Sequence, residues 1–219
     1  NDELPGNIGD WQKFGIAKGL QDLAFSVTDD SKTNSLIHVD TGDDGGVAIH
    51  PSRWEKLAGN LTNQAYTLIA SYYPATGVIV RKELWAEELS IGRLTLMGVP
   101  ITVEAEEHLL TKTNFAARVG LYALRRVDLV ADDTNYVAYV RPNSNSIPPY
   151  NHNRLGAVFV PRNMESDPLL AHVAAGSPAH VAGIRDGDVL LKIDRLDATK
   201  WRSDPQVMPL SRFWQQPSG

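Results

Sequence analysis

At 219 residues with 42% apolar side chains, the chain is long enough for one large domain or two small ones with a real core. A net charge of −5 offers no basic field to neutralise phosphates, which argues against nucleic acid as a partner. No apolar run approaches the ~20 residues of a membrane span, and zero cysteines exclude a disulfide framework or a thiolate metal site.

The first fifteen residues, NDELPGNIGDWQKFG, carry neither the basic flank nor the apolar stretch of a signal peptide, which leaves export open. Leu23 to Val27 and Leu36 to Val39 are predicted strands around the polar turn TDDSKTN. The second strand runs into LIHVDTGDDGGVAI, an acidic, glycine-dense knot between apolar flanks. An unpaired buried carboxylate is costly, so Asp40, Asp43 and Asp44 need either solvent or a task. SRWEKLAGN predicts a short helix, capped by Ser52 and stopped by Gly59. A series of β-runs follows from Thr67 to Val103, with a hairpin tip at Pro74-Ala75-Thr76-Gly77 and turns at Gly92-Arg93 and Met97-Gly98. The run Glu104 to Glu107 reads as a solvated turn. After Phe115 the pattern ARVGLYALRRVDLVADDTNYVAYVRP predicts strand, one helical turn, strand, turn and strand.

The stretch RPNSNSIPPYNHN is rich in Pro, Asn and Ser and carries no apolar periodicity. It sets the expected boundaries: a first domain over 1–142, a linker over 143–153 and a second domain over 154–219. The second opens on the apolar strand LGAVFV. Ser177-Pro178-Ala179 starts a short helix, with a side-chain oxygen at its cap and Pro at its first position. Gly183 ends that helix, and Asp186-Gly187-Asp188 turns the chain into the strand VLLKID. In DPQVMPLSRFWQQ, Val207, Leu210, Ser211 and Trp214 share one helical face. The six histidines are scattered without i, i+4 pairs, so no metal site is expected. DDGGVAI lacks the Lys of a phosphate loop, and no cofactor is expected.

An apolar strand entering Asp40-Thr41-Gly42, followed about 80 residues later by Val119-Gly120-Leu121, a helical YALRR and a hairpin, resembles the single-lobe, retropepsin-like aspartic proteases. A bare Asp-Thr-Gly is also what an ordinary Asx-type surface turn looks like. The resemblance implies a closed β-barrel in which two chains of a homodimer each donate one Asp40. The pair would share a proton, one carboxyl activating water while the other protonates the scissile amide. Thr41 and Gly42 would position Asp40, and Asp44 would bond substrate backbone. ASYYPATGVIVRK would be the flap, with Tyr72 or Tyr73 reaching the substrate and Gly77 at its tip. Three residues depart from the pattern. Arg118 takes an apolar place, Asp43 stands where Ala or Ser is usual, and His38 replaces a small or aliphatic residue. Like-charge repulsion from Asp43 shifts the pH optimum upward, or leaves a site that binds without cleaving.

The second domain, through HVAAGSPAHVAGIRDGDVLLKIDRLDA, resembles a bacterial-type PDZ domain, a small β-sandwich with two short helices. By that resemblance, backbone N–H groups of Leu155, Gly156 and Ala157 would receive a peptide's terminal carboxylate. The strand Val158–Val160, with Phe159 at its centre, would add the peptide as an extra strand. Val207, Leu210, Ser211 and Trp214 would face it across the groove. The pattern expects a closing strand after that helix, and the sequence ends at Gly219 first. Together these readings imply a mainly β aspartic endopeptidase acting on extended polypeptides, its PDZ unit recruiting C-terminal peptides. A bacterial, periplasmic or exported protein is implied. The rival expectation is an inactive peptide-binding scaffold that keeps the protease fold, and a third is that the chain is part of a longer protein supplying a second lobe.

Overall fold

The computed structural model describes residues 6–20, 22–28, 34–61, 64–73, 77–104, 115–143, 149–150, 152–163 and 165–203. The protein is mainly β, as its alternating apolar runs require. It divides into two compact units, Asn1–Asn63 with Trp85–Pro149, and Gln64–Leu84 with Tyr150–Gly219.

In chain order, β1 (Gln12–Gly15), β2 (Ala24–Thr28), β3 (Asn34–Val39), β4 (Val47–Ile49) and α1 (Pro51–Ala58) come first. The hairpin β5 (Thr67–Tyr73) and β6 (Gly77–Ile91) leads to β7 (Leu94–Val103) and β8 (Phe115–Val119). Then follow α2 (Leu121–Leu124), β9 (Val127–Asp132) and β10 (Val137–Pro142). The rest of the chain supplies β11 (Ala157–Pro161), β12 (Leu169–Val173), α3 (Pro178–Val181), β13 (Val189–Leu190), β14 (Lys192–Ile193) and β15 (Leu196–Asp197).

The large sheet of the first unit runs β2-β3-β8-β4-β7, continuing into the second half of β6. Its order is not its chain order. β3 and β4 flank the acidic loop, yet they do not pair with each other; β8 lies between them, parallel to β3 and antiparallel to β4. Ile37, Ile49, Leu89, Leu96, Val99, Ile101 and Val119 are buried on these strands. β9 and β10 form a hairpin, and β1 covers the other edge of β10 with Gln12 opposite Val140. Here the expected closed barrel is corrected. Among the described residues neither sheet closes on itself, because β10 spends its free edge on β1 instead of on the large sheet. α1 starts two residues earlier than a Ser52 cap requires. Pro51 takes the first helical position, so His50 becomes the cap and its Nδ1 accepts from the Ser52 N–H.

In the second unit β11, β12 and β13 form one antiparallel sheet and β14–β15 a short ribbon. β11 is buried on both faces. Ala157 and Phe159 point into a core with Leu169, Ala171, Ala179, Ala198 and Trp201. Val158 and Val160 point the other way, into a cluster with Leu68, Ala70 and Ala174. Leu68 and Ala70 belong to β5, so the hairpin expected as a flap of the first domain contributes its apolar face to the core of the second unit. The residues expected to form a linker are likewise anchored at their end: Tyr150, His152 and Asn153 bond to residues of this unit.

Candidate functional site

The Asp40 loop is built by three consecutive backbone donors. N–H groups of Gly120, Leu121 and Tyr122 donate to the carbonyls of Gly46, Asp43 and Gly45 at 2.8, 2.7 and 3.0 Å. These are the donors that the start of α2 leaves unpaired within the helix, and the acidic loop satisfies them. The Asp40 N–H donates in turn to Val119 O at 3.0 Å. Gly120 is required by this crossing, since a Cβ there would lie 2.6 Å from Gly45 O and 2.9 Å from Asp43 O. Gly46 is tighter still, with a Cβ position 2.0 Å from Pro100 O. Gly42 has more room, 3.3 Å from Asp40 Oδ1, and is exposed with Thr41 and Asp44.

Both oxygens of Asp40 are taken. Oδ1 accepts from the Gly42 N–H at 2.9 Å, an Asx-type turn, and Oδ2 accepts from Arg118 Nη1 at 3.1 Å. The same Nη1 donates to Asp43 Oδ2. The far side of the guanidinium is forked onto Glu104, with Nε to Oε2 at 2.9 Å and Nη2 to Oε1 at 3.2 Å. The side chains of Asp40 and Asp43 remain 31% and 27% exposed, whereas Glu104 is 10% exposed. Two residues that departed from the family pattern, Asp43 and Arg118, are therefore each other's partners, and the positive charge offsets the repulsion expected from Asp43 alone. The third departure also has local partners: His38 lies 3.5 Å from Asp22 and its ring stacks near Phe115 at 5.3 Å.

Sequence reasoning missed Glu104, which was expected in a solvated turn. Its position directly after β7, with its N–H on Ile49 O, turns it inward. A buried-facing carboxylate is legible in a sequence only once its partner strand is known. The residues expected as a flap belong to the second unit. Tyr72 and Tyr73 pair with Val78 and Gly77 across the β5–β6 hairpin of the second unit, where Gly77 takes a φ of +83°. Residues 74–76 at the tip lie outside the described residues.

In the second unit, the Ser177 Oγ caps α3 by accepting from the His180 N–H, and Gly183 takes a φ of +96°. The expected carboxylate loop is already occupied. Leu155 and Gly156 N–H groups both donate to Asn153 Oδ1 at 3.2 Å. Asn153 Nδ2 donates to Leu68 O and Ala157 O at 2.9 Å each, and Thr67 Oγ1 donates to Asn153 O at 2.6 Å. Gly156 is packed so closely on Ser177 that a Cβ would sit 2.3 Å from the Ser177 Cβ. The side chains of Ala157, Val158 and Phe159 are buried in the two clusters, so β11 offers a ligand only its backbone edge. Among the described residues, its sole strand partner is β12. Val207, Leu210, Ser211 and Trp214 lie outside the described residues. Elsewhere in the second unit, Glu83 is buried at 3% exposure; it accepts from Tyr150 Oη at 2.7 Å and faces His152 Nδ1 at 3.6 Å.

The chain matches no protein-family model, and no curated protein or solved structure is similar enough to match it. Among the described residues no group of three or more His, Cys, Asp or Glu is arranged to hold a metal ion, and no helix is long and apolar enough to cross a membrane.

Proposed function

We propose that the chain is an aspartic-type endopeptidase of retropepsin-like architecture, with Asp40 of two chains forming the catalytic pair, joined to a PDZ-like module. The observation that carries the reading is the insertion of β8 between the two strands that flank Asp40-Thr41-Gly42. That arrangement ties Asp40 to Val119 by a backbone bond and holds Gly120 against the loop, leaving the carboxyl group at a rigid, partly exposed strand end. A catalytic carboxylate needs such preorganisation. In the proposed reaction one Asp40 takes a proton from water as the oxygen attacks the scissile carbonyl. The other gives its proton to the amide nitrogen as the C–N bond breaks, so the pair ends with its one shared proton. The PDZ-like unit presents the β11 edge to an extended chain.

A second reading, a peptide-binding scaffold without cleavage, is favoured by Arg118. Its Nη1 occupies Asp40 Oδ2 while Gly42 occupies Oδ1, so a proton shared between two Asp40 groups competes with both donors. The deciding experiment is cleavage of an unstructured polypeptide from pH 3 to pH 8, by the wild type and by Asp40→Asn, across protein concentrations. Cleavage that rises more steeply than protein concentration and vanishes in the variant supports the protease. A folded dimer without cleavage at any pH leaves the scaffold.

A further inference from the structure

We propose that Glu104 is a positioning residue for Asp40 and acts on it through Arg118. What it does to turnover rests on the protease reading; what it does to the Asp40 carboxylate rests on geometry alone. The described hydrogen bonds of the Glu104 carboxylate go to Arg118. It grips the opposite edge of the guanidinium by two bonds, Nε to Oε2 and Nη2 to Oε1. A guanidinium is planar, with its donors in a fixed fork, so holding Nε and Nη2 sets where Nη1 points. Nη1 is the nitrogen that reaches Asp40 Oδ2 and Asp43 Oδ2. Because the Gly42 N–H already holds Oδ1, the second donor fixes the remaining rotation of the Asp40 carboxylate.

The anchor itself is firm. The Glu104 backbone N–H is bonded to Ile49 O at 2.8 Å, and β7, which delivers it, pairs with β4 through Val47–Ile101, Ala48–Thr102 and Ile49–Val103. Arg118 sits on β8 between β3 and β4, with Ala48 opposite it. The line of force thus runs from β7 through one side chain on β8 to the end of β3. Without Glu104, Arg118 keeps its charge but loses the two bonds that restrict a long, rotamer-rich side chain. Asp43 then competes with Asp40 for the freed guanidinium.

The test uses the full chain labelled with carboxyl-13C aspartate, with the Asp40 resonance read at one fixed pH beside peptide cleavage. The variants are Glu104→Gln, Arg118→Ala and the two combined. Glu104→Gln is expected to move the Asp40 resonance and lower kcat about tenfold with KM within about twofold, the scale expected for a slightly misaimed charged group. In the Arg118→Ala background, Glu104→Gln is expected to add nothing to either readout, since the route through the guanidinium has been cut. An unmoved Asp40 resonance in Glu104→Gln, or effects that add in the double variant, overturns the inference. If the wild type cleaves nothing while the resonance responds as stated, the protease reading falls and the positioning role stands. Should Glu104→Gln fail to fold, Glu104→Asp keeps the charge and withdraws it by one methylene, and the same outcomes apply.

Discussion

The Asp40 loop of the first unit and the Leu155–Ala157 loop of the second have the same problem and solve it differently. Each feeds a buried strand, and each carries polar groups that family resemblance would reserve for a ligand. In both, those groups are bonded within the chain. The Asp40 loop uses charge: one guanidinium, drawn from a strand 78 residues away, holds two loop carboxylates and a third from β7. The Leu155 loop uses a neutral amide from two and three residues upstream, with both N–H bonds at 3.2 Å. The lesson concerns displacement. A ligand carboxylate offers the Leu155 loop a stronger acceptor than Asn153, and the Asn153 side chain that turns away also gives up its neutral bonds to Leu68 O and Ala157 O. Displacing Arg118 from Asp40 leaves half-buried carboxylates behind, which is far more expensive.

The comparison breaks first at Arg118. Arg118→Leu is expected to destabilise the chain by about 3 kcal/mol, because Glu104 and Asp43 lose their common partner in a partly buried site. Urea unfolding measures it, and Asp43→Ala in the same background should recover about 1 kcal/mol. Equal stability of wild type and Arg118→Leu would show that the cluster is held some other way. Gly120→Ala is next, at about 2 kcal/mol, since the new Cβ meets backbone oxygens that cannot step aside. Thermal unfolding reads this one, and a neutral result would mean that the loop and α2 separate easily.

In the second unit, Asn153→Ala should cost about 1 kcal/mol and free the N–H groups of Leu155 and Gly156. Its binding signature sharpens the contrast. The variant is expected to prefer peptides with a free C-terminus over the same peptides amidated, and the wild type to discriminate less. An unchanged preference, measured by calorimetry, would make Asn153 a purely structural tie. The smallest effects lie at the surface. The Asn135 side chain, then its N–H, holds Asp132 below the ordinary carboxylate range, and Thr199 does the same for Asp197 by its hydroxyl and its N–H. A carboxyl lowered in the folded state adds stability that is present above its unfolded value near 4 and is lost as pH falls through the folded value. Asn135→Ala and Thr199→Ala should therefore bring the two carboxyls back toward that range, read by NMR titration, and slightly flatten the loss of stability below pH ~4. Titration curves that superimpose on wild type would remove the assigned cause.

Local chemistry was the legible part. The α3 cap at Ser177, the left-handed Gly183 and the strand–helix–hairpin order after Phe115 follow from short-range rules, and the structure has them. Helix α1 was legible except for its cap, which Pro51 moved to His50. The acidic knot could be recognised as needing a partner, but not which one. Nothing local to Asp43 marks Arg118, and the Glu104–Glu107 run reads as solvated because charge runs at turns usually are. The hairpin at residues 67–84 shows the same limit at a larger scale: its alternation predicts two strands but not which core receives their apolar face.

The sequence by itself therefore determined a mainly β chain, the positions of most turns and caps, and a carboxylate-bearing loop at a strand end. Those depend on each residue's own backbone preferences and on periods of two and 3.6, which act over a few neighbours. Only the tertiary structure decided that β8 enters between β3 and β4, that Arg118 gathers Asp40, Asp43 and Glu104, and that Asn153 fills the Leu155 loop. These are pairings in which the winning partner is set by which strands lie side by side, and a charge or an amide in a sequence carries no record of the group it will face.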